Sequence, residues 1–183
     1  MSRTALLLMD VQKATIGQAP DGYLSRAVHA LETARAAGLP VIHIAIGLRP
    51  GHVDTHPRNK LFGALPPEVF TPDDPGVAIH PDVAPADGEI VVRKNRVSAF
   101  AGNDLRQILA AQDITHLVLA GIATSGVVLS TALQAADLDY EVTVLSDACA
   151  DANPALHETL VNDVFTRRGR TSTIDEWAQT LGS

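Results

Sequence analysis

Three short segments hold the residue types best suited to chemistry. Asp10 and Gln12 stand in Met9-Asp10-Val11-Gln12, and Lys94 stands among Arg93, Asn95 and Arg96. The third segment is Gly121-Ile122-Ala123-Thr124-Ser125-Gly126. A carboxyl group gives or takes a proton, and a neighbouring ammonium stabilises negative charge or sets the acid's pKa. A turn that opens a helix offers backbone N–H groups to an oxyanion or carboxylate. Each residue also has a plain structural use: an Asp as a turn or cap, a Lys as a solvated charge, a Gly as backbone accommodation.

The elements that must position them alternate between strand and helix. Apolar runs at 4–9, 40–46, 89–93, 116–120 and 141–145 read as strands, with a short sixth at 170–173. Helices are expected at 23–37, with Leu24, Val28, Leu31 and Ala34 on the inner face, and from Gly102 or Asn103 to about 111. Others are expected at 124–138, at 154–167 behind an Asn153 cap, and from Ile174 onward. Apolar, mostly non-alternating strands separated by helices predict an α/β fold, a parallel sheet covered on both faces. Ligands of such sheets bind outside the carboxyl ends of the strands, where all three segments fall. An acid, an ammonium and a helix-opening turn would then share one crevice.

One stretch breaks the rhythm. Residues 47–85 hold eight of the 11 prolines, which makes long regular elements improbable. It is expected to be a binding loop or lid, or a packing arm for a partner subunit. The 183 residues suit one domain over 1–183. With 14 Lys and Arg against 21 Asp and Glu the chain is acidic, which argues against a nucleic-acid or membrane-surface partner. No apolar run approaches the roughly 20 residues that cross a bilayer, and no targeting segment is evident. The expected location is the cytoplasm, with which a single cysteine, Cys149, agrees.

The three segments, extended to RKNRVSAFAGNDL (93–105) and LAGIATSGVVLSTALQAADLDYEVTVLSDACAD (119–151) and joined by RPGH…HPRNKLFGAL (49–65), resemble the isochorismatase-like hydrolases, also called cysteine hydrolases. The resemblance implies a three-layer doubly wound fold with a six-stranded parallel sheet, assembled as a homodimer or homotetramer. It implies Asp10 and Lys94 as catalytic residues and a non-proline cis peptide at Ile122–Ala123. It places Gln12, Phe100, Ala123, Thr124, Ser125 and Val127 around a small-molecule substrate. The family's third catalytic residue is a Cys six positions after the turn glycine. Here that position is Val127, which has no nucleophilic atom, and Cys149 lies 22 residues beyond it, after the fifth strand. Members of isochorismatase type also lack this Cys and carry Gly there.

Other chemistries fit less well. Asp54-Thr55-His56-Pro57 resembles the metal-binding segment of some nicotinamidase relatives, but the next histidine, His80, is 24 residues on, so no metal is expected. Ser125, Ser130 and Ser98 lie near the edge without a G-x-S-x-G elbow. No dinucleotide or P-loop glycine pattern is present, and no cofactor is expected. The expectation is a hydrolase acting on a small anionic metabolite with water as nucleophile, ether C–O cleavage ahead of amide hydrolysis. The alternative is a catalytically degenerate binding protein or partner subunit of the same fold.

Overall fold

The computed structural model describes residues 3–17 and 19–182. Six strands form one parallel sheet in the order β3-β2-β1-β4-β5-β6: β1 (Arg3–Met9), β2 (Val41–Ile46), β3 (Ile90–Lys94), β4 (Ile114–Ile122), β5 (Glu141–Ala150) and β6 (Arg170–Ser172). The chain fills one half of the sheet outward from β1, then returns to build the other half from β4. The carboxyl ends of β1 and β4 therefore flank the switch point where crevices open in such folds.

Side chains on β1 explain the two covered faces. Ala5, Leu7 and Met9 point into one core, and Leu6 and Leu8 into the other, following the two-residue period of a strand. Helices α3 (Leu105–Ala111) and α4 (Leu129–Asp137) fill the first core, together with Leu160 and Phe165. Helices α2 (Tyr23–Ala36) and α6 (Ile174–Leu181) fill the second. A four-residue α1 (Lys13–Ile16) and a six-residue α5 (Pro154–Thr159) complete the set.

Several expected elements change. On α2 the buried face is Tyr23, Ala27, Ala30, Leu31 and Ala34, leaving Leu24 and Val28 half-buried at the flank; alanines let the helix lie close on the sheet. The expected helix at 124–138 starts with a wide π-helical turn, Thr124–Val128, before α4. The helix at 154–167 likewise passes from α5 into a π turn and a 3₁₀ turn. Strand β5 runs five residues past Leu145, so Cys149 lies on the strand rather than after it, paired with Gly121. Polar Ser146 and Asp147 hid that extension. Asp147 is bound by its surroundings, its Oδ1 accepting from the Ile174 N–H and its carbonyl from Arg26 Nε.

The proline-rich stretch contains short turns and 3₁₀ segments and no long element. It folds back on the sheet edge, where Phe62, Leu65 and Phe70 pack with Ile46, Leu48 and Val97. Its far end is fastened by charge. Glu89 accepts from Arg35 Nε and Nη2 at 2.7 and 2.8 Å, from the Ala86 N–H at 2.9 Å, and contacts His43 Nε2 at 2.8 Å. The Arg35 hydrogen bonds outweigh burial and hold the Glu89 carboxyl down to about 2. Its folded pKa lies below its unfolded value, so its stabilisation is present above about pH 4.5 and is lost as pH falls from there toward 2. Glu89→Gln should cost about 2 kcal/mol near neutral pH and much less near pH 3, read from urea unfolding at the two pH values.

Candidate active site

Asp10 follows the last residue of β1 with the backbone in the left-handed region, φ 58°, a conformation Asp tolerates better than most residues. The turn is held from below, where Thr15 Oγ1 donates to the Asp10 carbonyl and the Asp10 N–H donates to Ile44 O at 2.8 Å. Lys94 ends β3, two strands away, and its long stem spans the gap. Its Nζ lies 2.9 Å from Asp10 Oδ2 and donates to Arg96 O at 3.0 Å. Both residues are nearly inaccessible, Asp10 3% and Lys94 1% exposed. Burial raises the Asp10 carboxyl to about 6, against the opposing pull of the Lys94 charge and hydrogen bond. Asp10 Oδ1 is buried with no hydrogen-bond partner among the described residues.

Strand β4 supplies the third component. Gly121 passes so close to β1 that a Cβ there would strike the backbone carbonyl of Met9, and its φ of 154° disfavours other residues as well. The next peptide bond, Ile122–Ala123, is cis. The wide turn at 124–128 then begins, pinned by Asp151 from the end of β5: Oδ2 accepts the Ser125 N–H at 2.8 Å and Oδ1 the Asn153 N–H at 3.1 Å. Hydrogen bonds from Ser125 and Asn153 hold the Asp151 carboxyl below the usual range despite the opposing effect of burial. Thr124 Oγ1 meets His157 Nδ1 of α5 at 2.8 Å.

A cavity of about 610 Å³ opens on Asp10 and Lys94. Of the expected site residues, Asp10, Lys94, Ala123, Ser125 and Val127 line it. Three lie behind the wall. The Gln12 amide is consumed in bridging, donating to Ile46 O and Val77 O and accepting from the Ile46 N–H, so it ties β1 to β2 and to the arm. Phe100 is buried in the core and stacks on Tyr140, centroids 5.9 Å apart. Thr124 is fully buried against His157. The N–H groups expected to face a ligand are partly spent within the turn, Ser125 on Asp151 and Gly126 on Ala123 O.

The arm, expected as a binding loop or lid or as a packing arm, supplies part of the wall. Leu61, Phe62, Leu65 and Phe70 of the arm line the cavity, with Asp151 and Ser130. The arm's apolar residues follow no period, and nothing local links them to Asp10. His157 carries no signal either, because its partner lies 33 residues earlier. The residues of the metal-like segment are engaged elsewhere. Asp54 accepts from Asn95 Nδ2, His56 pairs with Arg58, and no group of three or more potential metal ligands occurs among the described residues. Cys149 is buried against Leu119 O, and burial pushes its thiol up to about 12.

The isochorismatase domain model matches residues 4–176. The chain belongs to the isochorismatase family. Among its relatives, a ureidoacrylate amidohydrolase RutB from Stutzerimonas stutzeri (strain A1501) is 30% identical over 100% of this chain and 84% of that protein. An N-carbamoylsarcosine amidase from Arthrobacter is 28% identical over 82% of this chain but only 58% of that protein. An isochorismatase family protein from Desulfovibrio vulgaris superposes over the full length of both chains with a TM-score of 0.89 at 26% identity. Within the isochorismatase-like hydrolases this chain lacks the nucleophilic Cys: valine occupies position 127, and the one cysteine is buried on β5. No helix among the described residues is long and apolar enough to cross a membrane.

The buried pair is asymmetric. Removing Lys94 leaves a carboxyl that can take up a proton, whereas removing Asp10 strands an ammonium in the interior. Asp10→Leu should therefore destabilise by about 3–5 kcal/mol near neutral pH, and Lys94→Met by clearly less below pH about 6. In Lys94→Met the Asp10 pKa should rise further, since the lysine charge lowers it. In the native chain the folded pKa of Asp10 lies above its unfolded value. Its contribution to stability falls as pH rises from about 4 to about 6 and is constant above. Thermal unfolding of the native chain and of Asp10→Asn across that range isolates this slope from the opposite slopes of Glu89 and Asp151.

Proposed function

We infer that the protein hydrolyses a small molecule by acid–base chemistry, with Asp10 moving the proton, Lys94 holding the charge and water as the nucleophile. The observation that carries this reading is the Asp10 carboxyl itself. One oxygen is held by Lys94, while the other is buried, unpartnered and part of a residue that lines the cavity. With its pKa raised to about 6 the group can serve as a proton donor near neutrality. When the proton leaves Oδ1, the ammonium 2.9 Å away stabilises the new carboxylate.

Cleavage of an activated ether suits this inventory best. Protonation of an enol ether at carbon leaves an oxocarbenium ion, water adds to it, and the resulting hemiacetal collapses to alcohol and carbonyl. Asp10 gives the first proton and recovers one from the attacking water. No covalent nucleophile is needed, which agrees with Val127 on the cavity wall. Ser125 and Ser130 also line the cavity, but His157, the nearby base, is engaged with Thr124. Amide hydrolysis is the second reading, favoured by relatives named for amide substrates. There the Asp10 carboxylate would act as general base on water. Assembly as a homodimer or homotetramer belongs to this reading.

The test is a turnover screen of small enol ethers and amides with product detection. On any substrate found, Asp10→Asn should lower kcat about 100-fold or more, and full retained turnover would sink the assigned role. For the ether reaction kcat should fall as pH rises through about 6, because the active form of Asp10 is protonated; a rise across that range would indicate the base role and the amide reading. A metabolite that raises the melting temperature and is never consumed would favour a binding protein instead.

A further inference from the structure

The charges around the cavity are unusual for a site expected to take an anion. Among the described residues its ionisable lining is Asp10, Lys94 and Asp151, one cation against two carboxylates. The cation is already engaged, 2.9 Å from Asp10 Oδ2 and donating to Arg96 O. The two arginines nearest in sequence are turned elsewhere. Arg93 Nη1 donates to Val77 O at 3.2 Å and Ile46 O at 3.4 Å. Arg96 donates to the carbonyls of Asp54 and Asn95. His157 is taken by Thr124. An entering carboxylate would shed its water with no unpaired cation to receive it, and would face Asp151.

The remaining wall is mostly apolar, interrupted by Thr15, Ser125 and Ser130. The arm contributes Leu61, Phe62, Leu65 and Phe70, and β2 contributes Ile46. Burying a hydrocarbon body there is favourable in proportion to the area removed from water. We propose that the site selects a neutral substrate with an apolar ring or branched body and a single hydrolysable polar group, and rejects its carboxylate analogues. This rests on the hydrolase reading for what happens to the polar group, and it replaces the anionic metabolite expected from sequence.

Equilibrium binding tests the selection without requiring turnover. Matched probes are phenylacetamide against phenylacetate and cyclohexanecarboxamide against cyclohexanecarboxylate, titrated calorimetrically into the native protein and into Asp10→Asn at about pH 8, where both acids are ionised. The neutral member of each pair should bind at least about tenfold more tightly to the native protein, and the preference should narrow in Asp10→Asn, where Lys94 loses its carboxylate partner. Leu61→Lys adds a cation at a wall position that is 58% exposed, where it should not disturb folding, and should narrow or reverse that preference. Equal or tighter binding of the carboxylates to the native protein would overturn the proposal, as would failure of both amides to saturate at roughly 10 mM. The hydrolase reading fails separately. Selective binding of amides with no substrate ever consumed would overturn hydrolysis and keep the selectivity, whereas Asp10-dependent turnover of an anion would do the reverse.

Discussion

A lysine ammonium buried at the edge of a parallel sheet has to be neutralised, and Asp10 is the group that does it. That requirement organises the surrounding structure. Asp10 must leave β1 in a left-handed turn to reach Nζ, and Lys94 must end β3 in register with β2, where Ile46 pairs with it. Gln12, two residues on, fixes β2 and the arm to the same corner. The pair is therefore a stability constraint whose carboxyl has its pKa raised by burial. Without Lys94 the carboxyl would rise further; without burial the lysine would pull it below the ordinary carboxylate value.

The other half of the site comes from the switch point. Gly121 allows β4 to touch β1, the cis bond follows, and Asp151 pins the next N–H group. These contacts come from strands far apart in sequence and adjacent in the sheet, so this edge is braced from several sides. The arm is assembled differently: short turns and apolar side chains, fastened at Gln12 on one side and at Glu89 on the other. A polar edge thus faces a separately fastened apolar wall, and a change in one leaves the fastening of the other intact.

Much of this was legible in the sequence, for physical reasons. Strands β1, β2 and β4 are apolar on both faces and announce themselves, and parallel order places Asp10, Lys94 and the Gly121 turn on one edge. The lower end of β5 was not legible, because Ser146 and Asp147 look like the end of a strand when their partners, Ile174 and Arg26, are unknown. Gln12, Phe100 and Thr124 carry the right residue types next to the site, yet their side chains are spent on bridging, core packing and His157. Side-chain direction two residues from a strand end depends on tertiary partners that spacing does not encode. The arm was expected as a binding loop or lid, or as a packing arm, but which of its side chains reach the cavity was not legible, because irregular backbone has no period to read.

Cys149 has a consequence outside catalysis. Its sulfur is enclosed on β5 and its thiolate is strongly disfavoured, so alkylating agents and peroxides, which attack the exposed thiolate, find little to react with. With a valine where the nucleophilic thiol of the cysteine hydrolases would stand, the site also offers nothing there to oxidise. Where relatives that use a thiol carry a redox-sensitive group, this chain carries a valine, and the carboxyl and ammonium of the buried Asp10–Lys94 pair are left chemically unchanged by such oxidants.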